Sequence, residues 1–158
     1  MAEDEPRWLD DEEQRTWRAF LWATQLSQEA LERQLHRDSG IPHAYYMILA
    51  VLSEAPNRMM TMTELADMTR FSASRLSHAV GRLEERDWVV RGRHPECGRT
   101  TMATLTESGF AALREAAPGH VDQVRTVIFD RLSRREQHQL RAICEKLLAG
   151  LRDAPSGK

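Results

Sequence analysis

Between Thr61 and Thr100 hydroxyl, guanidinium and imidazole side chains recur at spacings that gather them on one surface. Ser72, Ser74, Arg75, Ser77, His78 and Arg82 belong to a helical segment that begins at Ser72 and fall off its apolar face, while Arg91, Arg93, His94, Arg99 and Thr100 flank a short polar loop. Thr61, Thr63 and Arg70 lie just upstream. Arginine presents a planar fork of donors that matches phosphates and guanine edges, short hydroxyls let a helix approach a surface closely, and imidazole donates or accepts. This is chemistry for holding a polyanion, not for making bonds. No Gly-x-Ser-x-Gly, His-Glu-x-x-His or P-loop occurs and no acid–base pair marks a cleft, so neither catalytic residues nor a cofactor are expected. His94 and Cys97 form the only tight metal-like pair, and without a second pair no metal site is expected.

These residues need elements to position them. Asp10, Asp11, Glu12 and Glu13 favour a helix start by opposing the macrodipole, and Trp17, Phe20, Leu21, Thr24, Leu31 and Leu35 continue it to about Leu35. Ser39 and Gly40 end this helix, and Pro42 opens the next, which runs to Glu54. Thr61-Met62-Thr63-Glu64 is a capping box before a short helix over 62–68. Ser72 caps a helix to about Arg86 with Ala73, Leu76, Val80 and Leu83 on its apolar face. Strands are predicted over 88–91 and 100–105, the only hairpin signal, joined by a polar loop over 92–99. Thr106 caps a helical region that Pro118-Gly119 should kink or interrupt, and Ser133 to Glu136 is a second capping box before the last helix.

With 158 residues, 41% apolar and 29% charged, the chain is an ordinary globular domain, and no apolar window is long enough for a bilayer. Two widely spaced cysteines and no secretory start make the cytoplasm the expected compartment. Cys144 lies beside an apolar seam and reads as core. The formal charge of −2 argues against a nucleic-acid binder until it is divided. Residues 1–38 hold 10 acids against 5 arginines, whereas residues 58–104 hold 8 arginines against 6 acids. An acidic first third masks a basic middle. Of 22 basic residues 20 are arginine, which suits bidentate contacts but is equally the product of a GC-rich genome.

Helix, three-residue turn, helix and hairpin is the order of a winged helix-turn-helix, whose second helix enters the major groove. An amphipathic helix with arginines outside is by itself an ordinary solvated face, and the arginine-tipped hairpin beside it reverses that reading. The run from Thr61 to Arg91, with R-L-E-E-R at 82–86, and then R-T-T-M-A-T-L-T-E-S-G at 99–109, resembles the winged-helix core of the MarR family of bacterial transcriptional regulators. R-W-L-D-D-E-E-Q-R-T-W-R at 7–18 and A-A-P-G-H-V at 116–121 extend the resemblance over residues 7 to about 152. Two departures stand out: Cys97 replaces the Asp of a usual Asp-x-Arg wing in which Arg99 matches the Arg, and His78 stands where Arg is frequent.

The resemblance implies a mainly α fold with a small β-hairpin wing, in which a winged helix-turn-helix lobe at 39–106 is joined to a helical dimerisation region formed by 1–38 and 107–158. It further implies an obligate homodimer that binds a pseudo-palindromic double-stranded operator, usually represses, and is released by a small aromatic or phenolic effector. Trp8, Leu9, Trp17, Leu132, Leu140, Ile143, Leu147 and Leu151 are more large apolar groups than a monomer of this size buries easily, and are the expected dimer seam. His43, Tyr46, Met47 and Ala50 share a face of the second helix; with Trp22, Phe110 and Leu113 they are candidate pocket residues and equally candidate core. A dimeric helical adaptor without DNA and an oxidant sensor acting through Cys97, whose neighbours Arg93, His94 and Arg99 favour thiolate, are the alternatives.

Overall fold

A computed structural model describes residues 6–93, 98 and 100–153. Six α-helices and three strands among the described residues follow in the order α1 (Asp11–Ser39), α2 (His43–Glu54), β1 (Met59–Thr61), α3 (Met62–Thr69), α4 (Ala73–Glu84), β2 (Val89–Arg93), β3 (Thr101–Leu105), α5 (Glu107–Val127) and α6 (Arg134–Asp153). Mainly helical with a small antiparallel sheet, the chain has the expected fold class.

The local signals act where the sequence placed them, with additions. Asp10 Oδ1 accepts the Glu12 and Glu13 amides at 2.8 Å and Glu13 returns a carboxylate to the Asp10 amide, a full capping box that adds to the favourable charge of this turn. Gly40, at φ +65°, closes α1 by donating its amide to the His36 carbonyl. Thr61 and Glu64 cap α3 reciprocally, and Ser72 Oγ accepts the Arg75 amide at 3.3 Å to start α4.

Leu35, Ile48, Leu49, Leu52, Leu65, Leu76, Val80, Leu83 and Val89 form the centre of the core, where α2 is surrounded by the end of α1, the helix-turn-helix, the sheet and the start of α5. Leu113 and Ala116 of α5 join this cluster, so the winged lobe and the long helices share one hydrophobic centre. The sheet order is β1-β3-β2, with Val89 paired to Leu105, Arg91 to Ala103 and Met60 to Ala103.

Four expectations need correction. A third strand, Met59–Thr61, pairs with β3, so the hairpin is part of a three-stranded sheet; at three residues β1 is too short to show a two-residue period, and only the long-range partner defines it. Pro118 does not break α5, which runs unbroken over Glu107–Val127: a proline removes one backbone hydrogen bond, and the long packing of α5 along α1 outweighs that loss. Ala73 is exposed, and Ala79 takes its place among the buried residues of α4, because the whole first turn from Ser72 to Arg75 lies outside the core. Finally α4 stops at Glu84, where the chain tightens through Arg86 N–H to the Leu83 carbonyl and then places Asp87 at φ +57°.

The junction after β3 is tightly built. Thr106 caps α5 by accepting the Gly109 amide at 3.0 Å, and the hydroxyls of Thr106 and Ser108 both donate to the Asp87 carbonyl at 2.6 Å. Gly109 has no space for a side chain, since a Cβ there would overlap the Trp88 carbonyl oxygen and lie 2.8 Å from Leu105 Cδ1. The Leu105-Thr-Glu-Ser-Gly109 run is a clasp that holds α5 against the turn leaving α4.

Candidate nucleic-acid interface

One face of α4 is sealed and the other open. Leu76, Ala79, Val80 and Leu83 are buried, whereas Ser72, Ser74, Arg75, Ser77, His78 and Arg82 are exposed, which gives the helix an outward arc of hydroxyl, imidazole and guanidinium groups. Three serines on the open side leave little bulk between the axis and a ligand, as a helix entering a groove about 12 Å wide requires. Arg70 sits in the turn before α4 in the left-handed region at φ +58°, exposed, and Thr63 is exposed on the first turn of α3. Thr61 is half-buried and occupied as a helix cap.

The arginines differ in how they are held. Arg75 stacks over the Phe71 ring with its guanidinium carbon 4.2 Å from the centroid, which aims the group along the first turn of α4. Arg82 donates to Glu85 at 2.8 Å, and that carboxylate keeps the guanidinium above its ordinary pKa. Arg91 donates through Nε to Glu84 at 2.8 Å, and its backbone amide donates to the same carboxylate at 3.0 Å. This contact holds the Glu84 carboxyl below the usual carboxylate range. Arg93 donates to the Gly98 carbonyl at 2.7 Å and ties the two arms of the wing together. Thr100 is half-buried just before β3, on the loop side of the Arg93–Thr101 pair. His94, Cys97 and Arg99 lie outside the described residues.

The candidate pocket residues separate. His43 and Met47 line a cavity of about 630 Å³ between α1, α2 and the α3–α4 turn, together with Glu32, Arg33, Phe71 and Arg75. Tyr46 is not among the residues lining that cavity; it is buried with its ring 4.2 Å from that of His120, which the His43 ring also meets. Ala50 and Leu113 pack in or against the core, and Phe110 lies under the Arg58 guanidinium at 3.8 Å. Trp22, on the outer part of α1, is 60% exposed. Sequence reading missed Phe71 and Arg33 as lining groups, and it missed the buried polar pair Gln34 and His120 between α1 and α5. The signal for His120 was present in the spacing, since Leu113, Ala116 and His120 stand at i, i+3 and i+7. His120 and His43, with rings 5.5 Å apart, are both held below the ordinary histidine pKa, by burial first; their mutual repulsion adds to this at His120, and Glu32 opposes it at His43.

The seam residues behave as a set. Trp8 is 82% exposed and Leu151 73%, Leu9, Trp17, Leu140, Ile143 and Leu147 are exposed, and Leu132 is half-buried. Only Leu31, Gln34 and Leu35 of α1 are buried, so its first four turns and most of α6 present apolar groups to solvent in the single chain. Cys144 is half-buried on α6. Among the described residues no cluster of three His, Cys, Asp or Glu could hold a metal, and no helix is long and apolar enough to cross a membrane.

A family model described as the MarR family matches residues 39–100. The crystal structure of Sco3205, a MarR family transcriptional regulator from Streptomyces coelicolor in complex with DNA, is similar at a TM-score of 0.91 with 47% sequence identity, over 96% of this chain and 95% of that one. AbsC, a MarR family transcriptional regulator from the same organism, is similar at a TM-score of 0.89 with 36% identity, over 93% of this chain and 99% of that one. The transcriptional repressor MprA of Escherichia coli K12 is 30% identical over 112 residues, 71% of this chain, and the match spans 63% of the length of that protein.

Proposed function

The chain belongs to the MarR family of transcriptional regulators, and on that premise we propose that it binds a pseudo-palindromic DNA operator as a homodimer, with the open face of α4 in the major groove and the wing along the flanking backbone. The observation that carries this is the sealed-and-open division of α4, with Arg75 and its serines outward, in a chain 47% identical to a relative crystallised in complex with DNA. Two such helices must stand about 34–36 Å apart to read successive turns of one duplex face, which one chain cannot arrange alone. The apolar surfaces of α1 and α6 supply the reason for pairing, since exposed groups from Trp8 to Leu151 are covered when two copies interleave. Repression, in the cytoplasm, is the sign we assign, in line with the name of the relative MprA.

A small aromatic acid is the effector class that the cavity suits. Arg75 can pair with a carboxylate, as can Arg33 on leaving Glu29 3.6 Å away, while Phe71 and Met47 offer apolar contact to a ring, and Arg75 belongs also to the DNA face. An occupant that draws Arg75 inward removes a donor from the groove, so binding and release are coupled through one side chain.

Selection of duplexes from a random pool by the purified protein, followed by gel-shift titration at several salt concentrations, tests the reading. A palindromic consensus and an affinity falling steeply with salt are expected; a flat salt dependence or no enriched duplex would overturn it. Benzoate added to the preformed complex is expected to release the DNA.

A further inference from the structure

Glu84 is a carboxylate on the side of the lobe that, in the proposed reading, faces phosphates, where an unpaired negative charge would oppose binding. Its hydrogen bonds are unusual for a surface acid. One oxygen accepts the Arg91 backbone amide at 3.0 Å, and the other accepts Arg91 Nε at 2.8 Å and Nη2 at 2.5 Å. The same guanidinium reaches Ser77 Oγ at 3.5 Å through Nη1. Its Nη2 lies 3.8 Å from where a Cβ of residue 81 would be, over Gly81. Arg91 is thus laid along α4, spanning Ser77, Gly81 and Glu84, and a carboxylate two-thirds withdrawn from solvent grips the strand by both backbone and side chain.

We propose that Glu84 is the positioning residue that sets the angle of the wing on the recognition helix, and that Arg91 acts in specificity through Glu84 and not as a phosphate contact. The inference rests on the DNA-binding reading above. Arg91 is the third residue of β2, and the wing continues beyond it through Gly92 and Arg93, so a small rotation at this point is magnified toward the tip. The pairing of β2 with β3 carries that angle to the whole hairpin. The guanidinium charge is already matched by Glu84, so it releases no counterion on binding.

A double-mutant cycle separates the roles. A duplex enriched from a random pool by the unsubstituted protein and poly(dI-dC) are titrated with E84Q, R91Q and the double variant, and the ratio of the two affinities is followed. Each single substitution is expected to lower that ratio about tenfold and the double variant no further. E84Q is expected to hold poly(dI-dC) at least as tightly as the unsubstituted protein, because a repelling charge is gone and the Arg91 charge is released. The double variant keeps the original salt slope. E84D, which keeps the charge and is one methylene too short to hold amide and guanidinium together, is expected to lose the ratio as E84Q does, and provides the test if E84Q fails to fold. Multiplicative losses in the double variant, a salt slope reduced by about 0.9 in it, or an unchanged ratio in E84Q or E84D would overturn the proposal. If the unsubstituted protein enriches no duplex, the DNA-binding reading itself fails, which is a different result from an enriched duplex whose discrimination ignores Glu84.

Discussion

Gly109 and His120 illustrate how much a single residue fixes in this chain. Gly109 stands where α5 leaves the sheet, and any Cβ meets the Trp88 carbonyl. Gly109→Ala is expected to destabilise the protein by about 3 kcal/mol in urea melts, the range of a backbone clash at a packed junction. His120 is 8% exposed, with Nδ1 unpaired among the described residues, and faces the Tyr46 and His43 rings, with Glu32 behind His43. Both histidines are held below the ordinary value near 6.5, so between that value and their own the unfolded chain binds more protons than the folded one. Stability is therefore complete above about pH 6.5 and falls as the medium is acidified through that window. His120→Phe, which keeps a ring against Tyr46, is expected to flatten the dependence of the urea midpoint on pH between 7.5 and 5; an unchanged slope would remove His120 as its source. The exposed polar residues of α4 were legible because a helix with one apolar face must show the other to solvent. The partners of Arg82 and Arg91 were not, since Glu84 and Glu85 are adjacent and spacing alone cannot say which acid meets which arginine.

Helices declared themselves more fully than strands. Capping boxes at Thr61 and Ser133 and the Ser72 cap are local chemistry, complete within four residues, and each appears with its hydrogen bonds. Strand β1 has no such local statement, because a strand is defined by its neighbour, and Met60 finds Ala103 more than forty positions away. Pro118 shows the reverse, a local veto overridden by packing. It is exposed on α5, and its missing N–H leaves the Arg114 carbonyl without the usual partner. Pro118→Ala is expected to restore that bond and to stabilise the folded chain by roughly 1–3 kcal/mol in thermal or urea unfolding. A destabilisation would mean that the proline fits a bend that α5 needs against α1. For α4, Arg75→Ala is expected to weaken operator binding by roughly 1–3 kcal/mol while leaving the melting temperature unchanged, read by gel shift beside calorimetry.

The chain as a whole presents an unfinished surface. Trp8 just before α1, Trp17 on its outer part and Ile143, Leu147 and Leu151 on α6 are all exposed in the single chain, so the stability and the reading geometry we propose depend on a second copy. Ile143→Asp combined with Leu147→Asp is expected to shift sedimentation from dimer to monomer and to abolish cooperative binding of a palindromic duplex. A variant that sediments unchanged would show that the seam lies elsewhere. By itself the sequence determined the helices, their caps, the polar arc of α4 and the uneven charge that places arginine in the middle of the chain, because these follow from local hydrogen bonding and from the 3.6-residue period. Only the tertiary structure decided which arginines are open and which are bound to acids, that His43 and Met47 share a cavity with Arg75 while Tyr46 stacks on His120, and that α5 passes through its proline. Those outcomes depend on residues distant in sequence meeting in one packed interior, where burial and pairing energies exceed any local preference.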